Sequence, residues 1–204
     1  MSERNPTLKF FVWAILIFAL AGVLFAAGFI YYLETSIDQV MSRKRQTEII
    51  AMINTSPDLP ESFYKTYNKY YPGALDRSVW RSVVNQLLGR RKSISCPCRN
   101  LYLTFYADQN NSPRLSALII ALEIEEHCSR KKCFDFMMSE AYFGSNTRGV
   151  SAASQFYYKK TIEQLSEKEI LELCIIEKGP SFYNPRYNKD RLDQAVDALM
   201  NKKR

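Results

Sequence analysis

One uncharged run constrains this chain more than any other feature. From Phe10 to Leu33 there are 24 residues without Asp, Glu, Lys or Arg, bounded by Lys9 and Glu34. A helix of that length reaches about 36 Å, enough to cross a bilayer with some tilt. Phe10, Phe11 and Trp13 lie at one end and Phe29, Tyr31 and Tyr32 at the other, where amphipathic rings favour the headgroup layer. Ala19-Leu20-Ala21 has the small-x-small form of a signal-peptide cleavage site, but cleavage there would leave Gly22 to Leu33 as an apolar tail that nothing in the sequence covers. The sequence therefore predicts a short cytoplasmic tail (1–9), a transmembrane helix (10–33), a juxtamembrane helix or linker (34–58) and one folded domain (59–204). Arg4 and Lys9 precede the span and Arg43, Lys44 and Arg45 follow it, so flanking charge alone does not orient it.

The mean hydropathy of −0.26 is that of an ordinary soluble protein only because the average conceals the span. With 47% hydrophobic and 24% charged residues, 7 Gly and 8 Pro in 204, the chain is neither collagen-like, low-complexity nor wholly disordered. Its formal net charge is +7, and residues 1–33 hold only Arg4 and Lys9 against Glu3, so almost all of that excess belongs to the domain. A basic domain beside a membrane points to anionic headgroups or phosphate-bearing lipids as partners rather than to nucleic acid.

The domain reads as helical. Ser36 to Asn54 could carry the membrane helix outward and should stop before Pro57. Asp76 reads as the N-cap of a helix whose Val79, Trp80, Val83, Val84, Leu87 and Leu88 recur at helical spacing, with Gly89 as the stop. Arg90 to Pro113 is irregular, with a short ordered piece near Leu101 to Phe105. Leu115 to Glu126 is the pattern of a buried helix, a shorter one covers Lys131 to Ser139, and Gly149 to Lys159 carries Ala152, Ala153 and Phe156 at close-packing spacing. Ser166-Glu167-Lys168-Glu169 is a capping box, and Asn188 should cap a last helix. Cys96, Cys98, Cys128 and Cys133, with the lone His127, admit three readings: a metal site, a disulfide, or plain packing. Cys-x-Cys lacks the usual zinc spacing, and Cys174 on an apolar face reads as core. The tyrosines from Tyr64 to Tyr71 either stack on sugar rings or pack.

Five short motifs then fall in a familiar order. Tyr142-Phe143-Gly144, Gly149-Val150 with Ala152-Ala153, Phe156-Tyr157 with Lys159, Leu165 with Glu169, and Pro180-Ser181 with Tyr183-Asn184-Pro185 together resemble the C-terminal half of the peptidoglycan glycosyltransferase domain, glycosyltransferase family 51. The similarity is strong after Leu115 and poor before it. It implies a mostly α, lysozyme-like domain on the outer face of the bacterial inner membrane, preceded by a single transmembrane helix. Members polymerise a lipid-linked disaccharide precursor, with one Glu as base on the acceptor hydroxyl, a second Glu assisting, and basic residues, often with a divalent metal, on the pyrophosphates.

The motifs that should carry that chemistry have changed. After Leu59-Pro60 and Glu61 there is no acid from Ser62 to Leu75, and Tyr64 or a neighbour falls where the first Glu belongs. Ala117 falls where the second belongs. The stretch RRKSISCPCRN keeps Ser93, Ser95, Arg99 and Asn100, and Arg114 keeps the cation of the following motif. The resemblance thus implies no catalytic residue at the family positions and a pyrophosphate-gripping set of Ser93, Ser95, Arg99, Asn100 and Arg114. No ligand set for a metal or other cofactor is seen. The expectation is a degenerate, non-polymerising member that takes part in cell-wall biogenesis by binding precursor or glycan or by docking on active synthases. The alternatives are a working enzyme with Glu61, Asp76 or Asp108 as relocated base, and a structural membrane protein with a collapsed cleft.

Overall fold

A computed structural model of the protein describes residues 6–89, 96–101, 105 and 114–201. Eleven α-helices are seen among them: α1 (Pro6–Thr35), α2 (Ile37–Val40), α3 (Arg43–Asn54), α4 (Glu61–Tyr70), α5 (Val79–Leu87), α6 (Pro97–Asn100), α7 (Arg114–His127), α8 (Arg130–Glu140), α9 (Val150–Tyr158), α10 (Glu167–Lys178) and α11 (Lys189–Asn201). No strand occurs among the described residues, only an isolated bridge between Tyr142 and Arg148. The mostly α, lysozyme-like class expected from the sequence is the class found.

Helix α1 is one apolar rod, long enough to cross a membrane, and its side chains from Phe10 to Trp13 and from Ile15 to Tyr32 meet little other protein. At Leu33, which is fully buried, it joins the domain and packs on α7. The sequence suggested that the membrane helix runs on through Asn54; instead the helix breaks twice. At the first break Ser36 is buried, its hydroxyl turned back onto the Tyr32 carbonyl at 2.5 Å. At the second, Met41 is extended and Ser42 restarts the helix by accepting from the Arg45 N–H. These breaks let α3 turn Ile49 and Ile53 into the interior against α8. Similarly, α5 starts later than expected. Asp76 is exposed, and Ser78 is the N-cap, its hydroxyl accepting from the Arg81 N–H at 3.1 Å. A serine one residue before the first apolar position satisfies that N–H directly, which Asp76, two residues further away, does not.

Two apolar clusters share one helix. The first is centred on α10, whose Ile170, Leu171, Leu173, Cys174, Ile175 and Ile176 are buried between α4, α9 and α11. Its N-terminus carries the expected capping box of Ser166 and Glu169. The second contains Leu33, Ile49, Ile53, Val79, Leu101, Phe105 and the buried face of α7. Helix α8 belongs to both: Phe134 and Met138 face the first cluster, Cys133 and Phe136 the second. Phe134 alone meets the rings of Phe63, Tyr64 and Tyr67 with centroids 6.2, 6.2 and 4.4 Å away. The tyrosines of α4 are therefore packed into the core, with Tyr64, Tyr67, Tyr70 and Tyr71 all buried, and are not a sugar-stacking face.

Cys98 on α6 is bonded to Cys133 on α8, while Cys96, Cys128 and Cys174 are buried thiols. Burial raises the thiol of Cys128 to about 11 and that of Cys174 to about 12, which keeps both protonated and unreactive at neutral pH. The disulfide closes a loop across 35 residues, a span for which the loss of unfolded-chain entropy corresponds to about 2–4 kcal/mol of stability. Replacing Cys98 and Cys133 by Ser should lower the unfolding free energy of the detergent-solubilised protein by that amount, measured by urea titration of its helical circular dichroism. An unchanged midpoint would show that the crosslink adds nothing to the packed interface.

Candidate functional site

The Glu125 carboxylate, near the end of α7, organises the ends of three other helices. Its Oε2 accepts from the Val79 backbone N–H at 2.9 Å, which is the start of α5. Its Oε1 accepts from Arg130 Nε at 2.8 Å at the start of α8, and lies 4.0 Å from the Cys96 sulfur just before α6. An acid placed on the free amide of a helix's first turn satisfies a donor that has no partner within the helix. Glu125 is only slightly exposed, so these contacts are little diluted by water. The sequence reading placed Glu125 inside a buried helix but assigned it no role; a charged residue in an otherwise apolar helical stretch was the signal available.

With α5 and α6 fixed in this way, Arg99 is held against α5. Its guanidinium donates to Ser82 Oγ at 3.0 Å and to Gln86 Oε1. Both partners are neutral, and among the described residues no carboxylate lies within ion-pair distance of Arg99. Among the described residues the result is a fixed cation held by neutral partners, the form in which arginine grips phosphate or carboxylate. Asn100, beside it, is exposed and its amide approaches Met137 Sδ at 3.8 Å. The α6 helix carrying both residues packs on α7 and α8. Arg114 opens α7, and Ala117 lies one turn further on, half-buried. The structure therefore brings the helix bearing Arg99 and Asn100 against the helix bearing Arg114 and Ala117. Ser93 and Ser95 fall outside the described residues.

Tyr64 is turned inward. Its hydroxyl donates to Asp135 Oδ1 on α8 and accepts from the Leu59 N–H at 3.0 Å. Asp135 is almost wholly buried, and its Oδ2 has no hydrogen-bond partner among the described residues. Burial raises the Asp135 carboxyl above the usual range; the bonds from Tyr64 and Leu59 oppose that shift, the Asp58 charge adds to it and the Lys132 charge subtracts. The Tyr64 hydroxyl is raised too, first by burial and then by Asp135. Lys131 sits 4.5 Å from the centre of the Tyr64 ring, and Lys132 pairs with Asp58 at 3.0 Å. Enclosed in this way, Asp135 holds α4 to α8 and does not reach solvent where a sugar hydroxyl could meet it.

Of the acids proposed as substitutes, Glu61 is exposed in the first turn of α4, one turn before Tyr64, and Asp76 is exposed before α5. Asp108 lies outside the described residues. For metal binding, Glu123, Glu126 and His127 bring ligand atoms within 4.8 Å of one another at the end of α7, with His127 Nδ1 already 3.1 Å from the Glu123 carbonyl oxygen. Ala117, half-buried on α7, carries no metal-ligating atom. A divalent ion at that position is not supported by these side chains, and no step is assigned to one.

The motifs that carried the resemblance converge in space. Gly144 (φ +84°) lies so close to Asn184 and Pro180 that a Cβ would come within 3.0 Å of Asn184 Nδ2 and 3.2 Å of the Pro180 oxygen. Gly149 (φ +84°) lies over the Ser139 carbonyl, where a Cβ would sit 2.7 Å from the oxygen. Only glycine fits either place. The buried Asn184 amide donates to Ser145 Oγ at 3.1 Å, and the Tyr157 hydroxyl donates to the Phe143 carbonyl at 2.8 Å.

Comparison with known proteins gives a match to the family model described as Transglycosylase over residues 97–204, more than half of the chain. Penicillin-binding protein 1F of Bacillus subtilis (strain 168) is 27% identical over 173 residues, 80% of this chain and 24% of that protein. Penicillin-binding protein 1A of Aquifex aeolicus (strain VF5) is 30% identical over 50% of this chain and 14% of its own length. Penicillin-binding protein 1A of Escherichia coli (strain K12) is 29% identical over 46% of this chain and 11% of its own length. The chain thus spans a quarter or less of the length of these relatives.

The buried Asp135 has a signature in the pH dependence of stability. Below about pH 4, the ordinary aspartate range, the carboxyl is protonated in folded and unfolded chains alike. As pH rises from there, the unfolded chain releases the proton first because the folded carboxyl is raised, so the folded state loses stability until the folded carboxyl also ionises. Thermal melting of Asp135→Asn should lack this loss, and the stability of the parent relative to the variant should fall as pH rises from about 4 towards neutrality. Parallel pH profiles would show that the site holds its charge without cost.

Proposed function

Because this chain belongs to the transglycosylase family, the peptidoglycan glycosyltransferases, its site has to be judged against a reaction that needs a carboxylate base beside a diphosphate grip. We propose that it is a membrane-anchored, non-polymerising member that takes part in cell-wall assembly by holding lipid-linked precursor or glycan, or by docking on active synthases. The observation that carries this reading is the contrast between Ala117 and Arg99. On the family resemblance Ala117 stands where the second acid belongs and has no ionisable group, whereas Arg99 is held by neutral Ser82 and Gln86 with no carboxylate at ion-pair distance among the described residues. On the same resemblance Tyr64 or a neighbour stands where the first acid belongs, and Tyr64 is buried.

The chemistry follows from those residues. Loss of a general base costs an enzyme about 10²–10⁴ in rate, and here the assisting acid is replaced as well. Binding is affected differently. A carboxylate beside a phosphate site repels the anion, so its absence favours a diphosphate on Arg99 and Asn100, to which Arg114, Ser93 and Ser95 would add a second guanidinium and two hydroxyls. Ser82 and Gln86 fix the Arg99 fork and so lower the ordering cost of that contact. The domain is placed outside the cytoplasm in this reading. The Cys98–Cys133 bond supports that side, since disulfides persist in oxidising compartments, and large domains are exported largely regardless of flanking charge.

Purified full-length protein given lipid-linked disaccharide precursor should form no glycan above background. Chains that form, and are lost in Glu61→Gln, would establish a working enzyme with a relocated base. Arg99→Ala and Arg114→Ala should each weaken binding of a fluorescent lipid pyrophosphate by about 1.5–3 kcal/mol, the range for charge-assisted hydrogen bonds. No binding by the parent protein would favour a structural role with a collapsed cleft. A phosphatase reporter fused after Arg204 should be active, and a reporter active only in the cytoplasm should be silent at the same position.

A further inference from the structure

The connector between α3 and α4, residues 55–60, is strapped to its neighbours by polar contacts. Lys132 Nζ on α8 donates to the Ser56 carbonyl at 2.7 Å and pairs with Asp58 at 3.0 Å. The Leu59 N–H is shared between the Tyr64 hydroxyl at 3.0 Å and Asp135 Oδ1 at 3.5 Å. Pro57 and Pro60 flank Asp58 and Leu59, and a proline has no N–H to give, so neither adjoining helix can absorb the segment. The strap ties the end of α3, which serves the second apolar cluster through Ile53, to the start of α4, which serves the first through Phe63.

Two carboxyl groups meet under it. Asp135 is 1% exposed, and its Oδ2 has no hydrogen-bond partner among the described residues. Ionised in that position, the carboxylate would leave one oxygen with neither water nor a donor, which is costly. Asp135 also shares a hydrogen bond with Asp58, and two carboxyl groups can share one only if one of them carries a proton. Asp58 is the ionised member: the hydrogen bond and charge of Lys132 hold its carboxyl below the usual range, and the charge of Lys131 and the bond from Asp135 add to this. Asp135 is the protonated member: burial raises its carboxyl and the Asp58 charge adds to that, against the bonds from Tyr64 and Leu59 and the charge of Lys132. Tyr64, raised by burial and by Asp135, stays protonated as a donor, with Lys131 4.5 Å from the centre of its ring.

We propose that Asp58 and Asp135 share a single proton and that this proton latches the 55–60 strap, which is closed in acid and loosens as pH rises. Below about pH 4 the Asp135 carboxyl is protonated whether the strap is closed or lifted. Above that, a lifted strap exposes the carboxyl to water, where it ionises in the ordinary aspartate range, while under the closed strap it keeps its proton. The lifted state therefore gains on the closed one as pH rises. The gain ends when the enclosed carboxyl also gives its proton to solvent and two like charges face each other. The latch involves neither Arg99 nor Arg114, so it stands apart from diphosphate binding.

The test is hydrogen exchange of full-length protein in a neutral detergent, read on the 55–60 segment from about pH 4 to about pH 8 and corrected for the intrinsic pH dependence of amide exchange. Protection of the strap should fall with rising pH by up to about tenfold per unit, the limit for release of one proton, and then level off. Asp135→Asn, which keeps a neutral donor in place, should abolish the slope. Asp58→Asn removes the like charge and should move the fall to lower pH; its side chain is 64% exposed, so the core is left intact. Strap protection independent of pH in the parent, the same slope in Asp135→Asn, or an equal and simultaneous loss of protection in α10, the mark of global unfolding, would overturn the proposal. The parent profile and Asp58→Asn keep the test decisive if Asp135→Asn fails to fold.

Discussion

The carboxylate of Glu125 is the contact on which the rest of the site depends. A helix start has amides with no partner of its own, and the beginnings of α5, α6 and α8 all arrive near the same end of α7. One acid there neutralises Arg130 and satisfies the first amide of α5. From that point α5 carries Ser82 and Gln86 at the right distance for Arg99, so the orientation of a cation on α6 is set by an acid on another helix that never touches it. A neutral residue at 125 would leave the arginine its charge but not its direction.

Helix α8 completes the arrangement by serving two cores at once. Its Phe134 and Met138 belong to the lobe built on α10, while Cys133 and Phe136 belong to the lobe that receives the membrane helix. Because α8 presents apolar residues on opposite sides, its sequence has weak amphipathic character even though five of its eleven residues are buried. The disulfide to α6 and the Tyr64–Asp135 contact to α4 leave from this same helix, one towards each lobe. Movement of one lobe against the other must therefore be taken up at α8 or not occur.

Much of this was legible in the sequence, and the parts that were not have a common cause. The membrane run, the helix of Leu115 to Glu126 and the capping box at Ser166 are local signals, each decided by a few neighbouring residues. The start of α5 was misplaced by two residues because Asp76 and Ser78 are both good caps and only the geometry of the turn selects between them. The breaks at Ser36 and Ser42 were missed because tertiary burial of Ile49 and Ile53 overrides a locally continuous helical pattern. Glu125 and Asp135 were passed over because their partners are far away in the chain: Val79 is 46 residues from Glu125, and Tyr64 is 71 from Asp135. The tyrosines of α4 read equally well as a binding face or as core, and only the position of Phe134 decides for core.

The burial of Leu33 has a mechanical consequence. A domain joined to its anchor by a slack tether explores a hemisphere above the membrane and can meet targets at many heights. Here the last turn of the anchor is itself part of the domain's interior, and the serine that follows it is buried too. The two therefore move as one piece: as the rod tilts or rotates in the lipid, the domain tilts and rotates with it. Surfaces on the domain are presented at a set elevation and bearing, so changes in bilayer thickness reach the far lobe as changes in angle rather than being absorbed in a hinge.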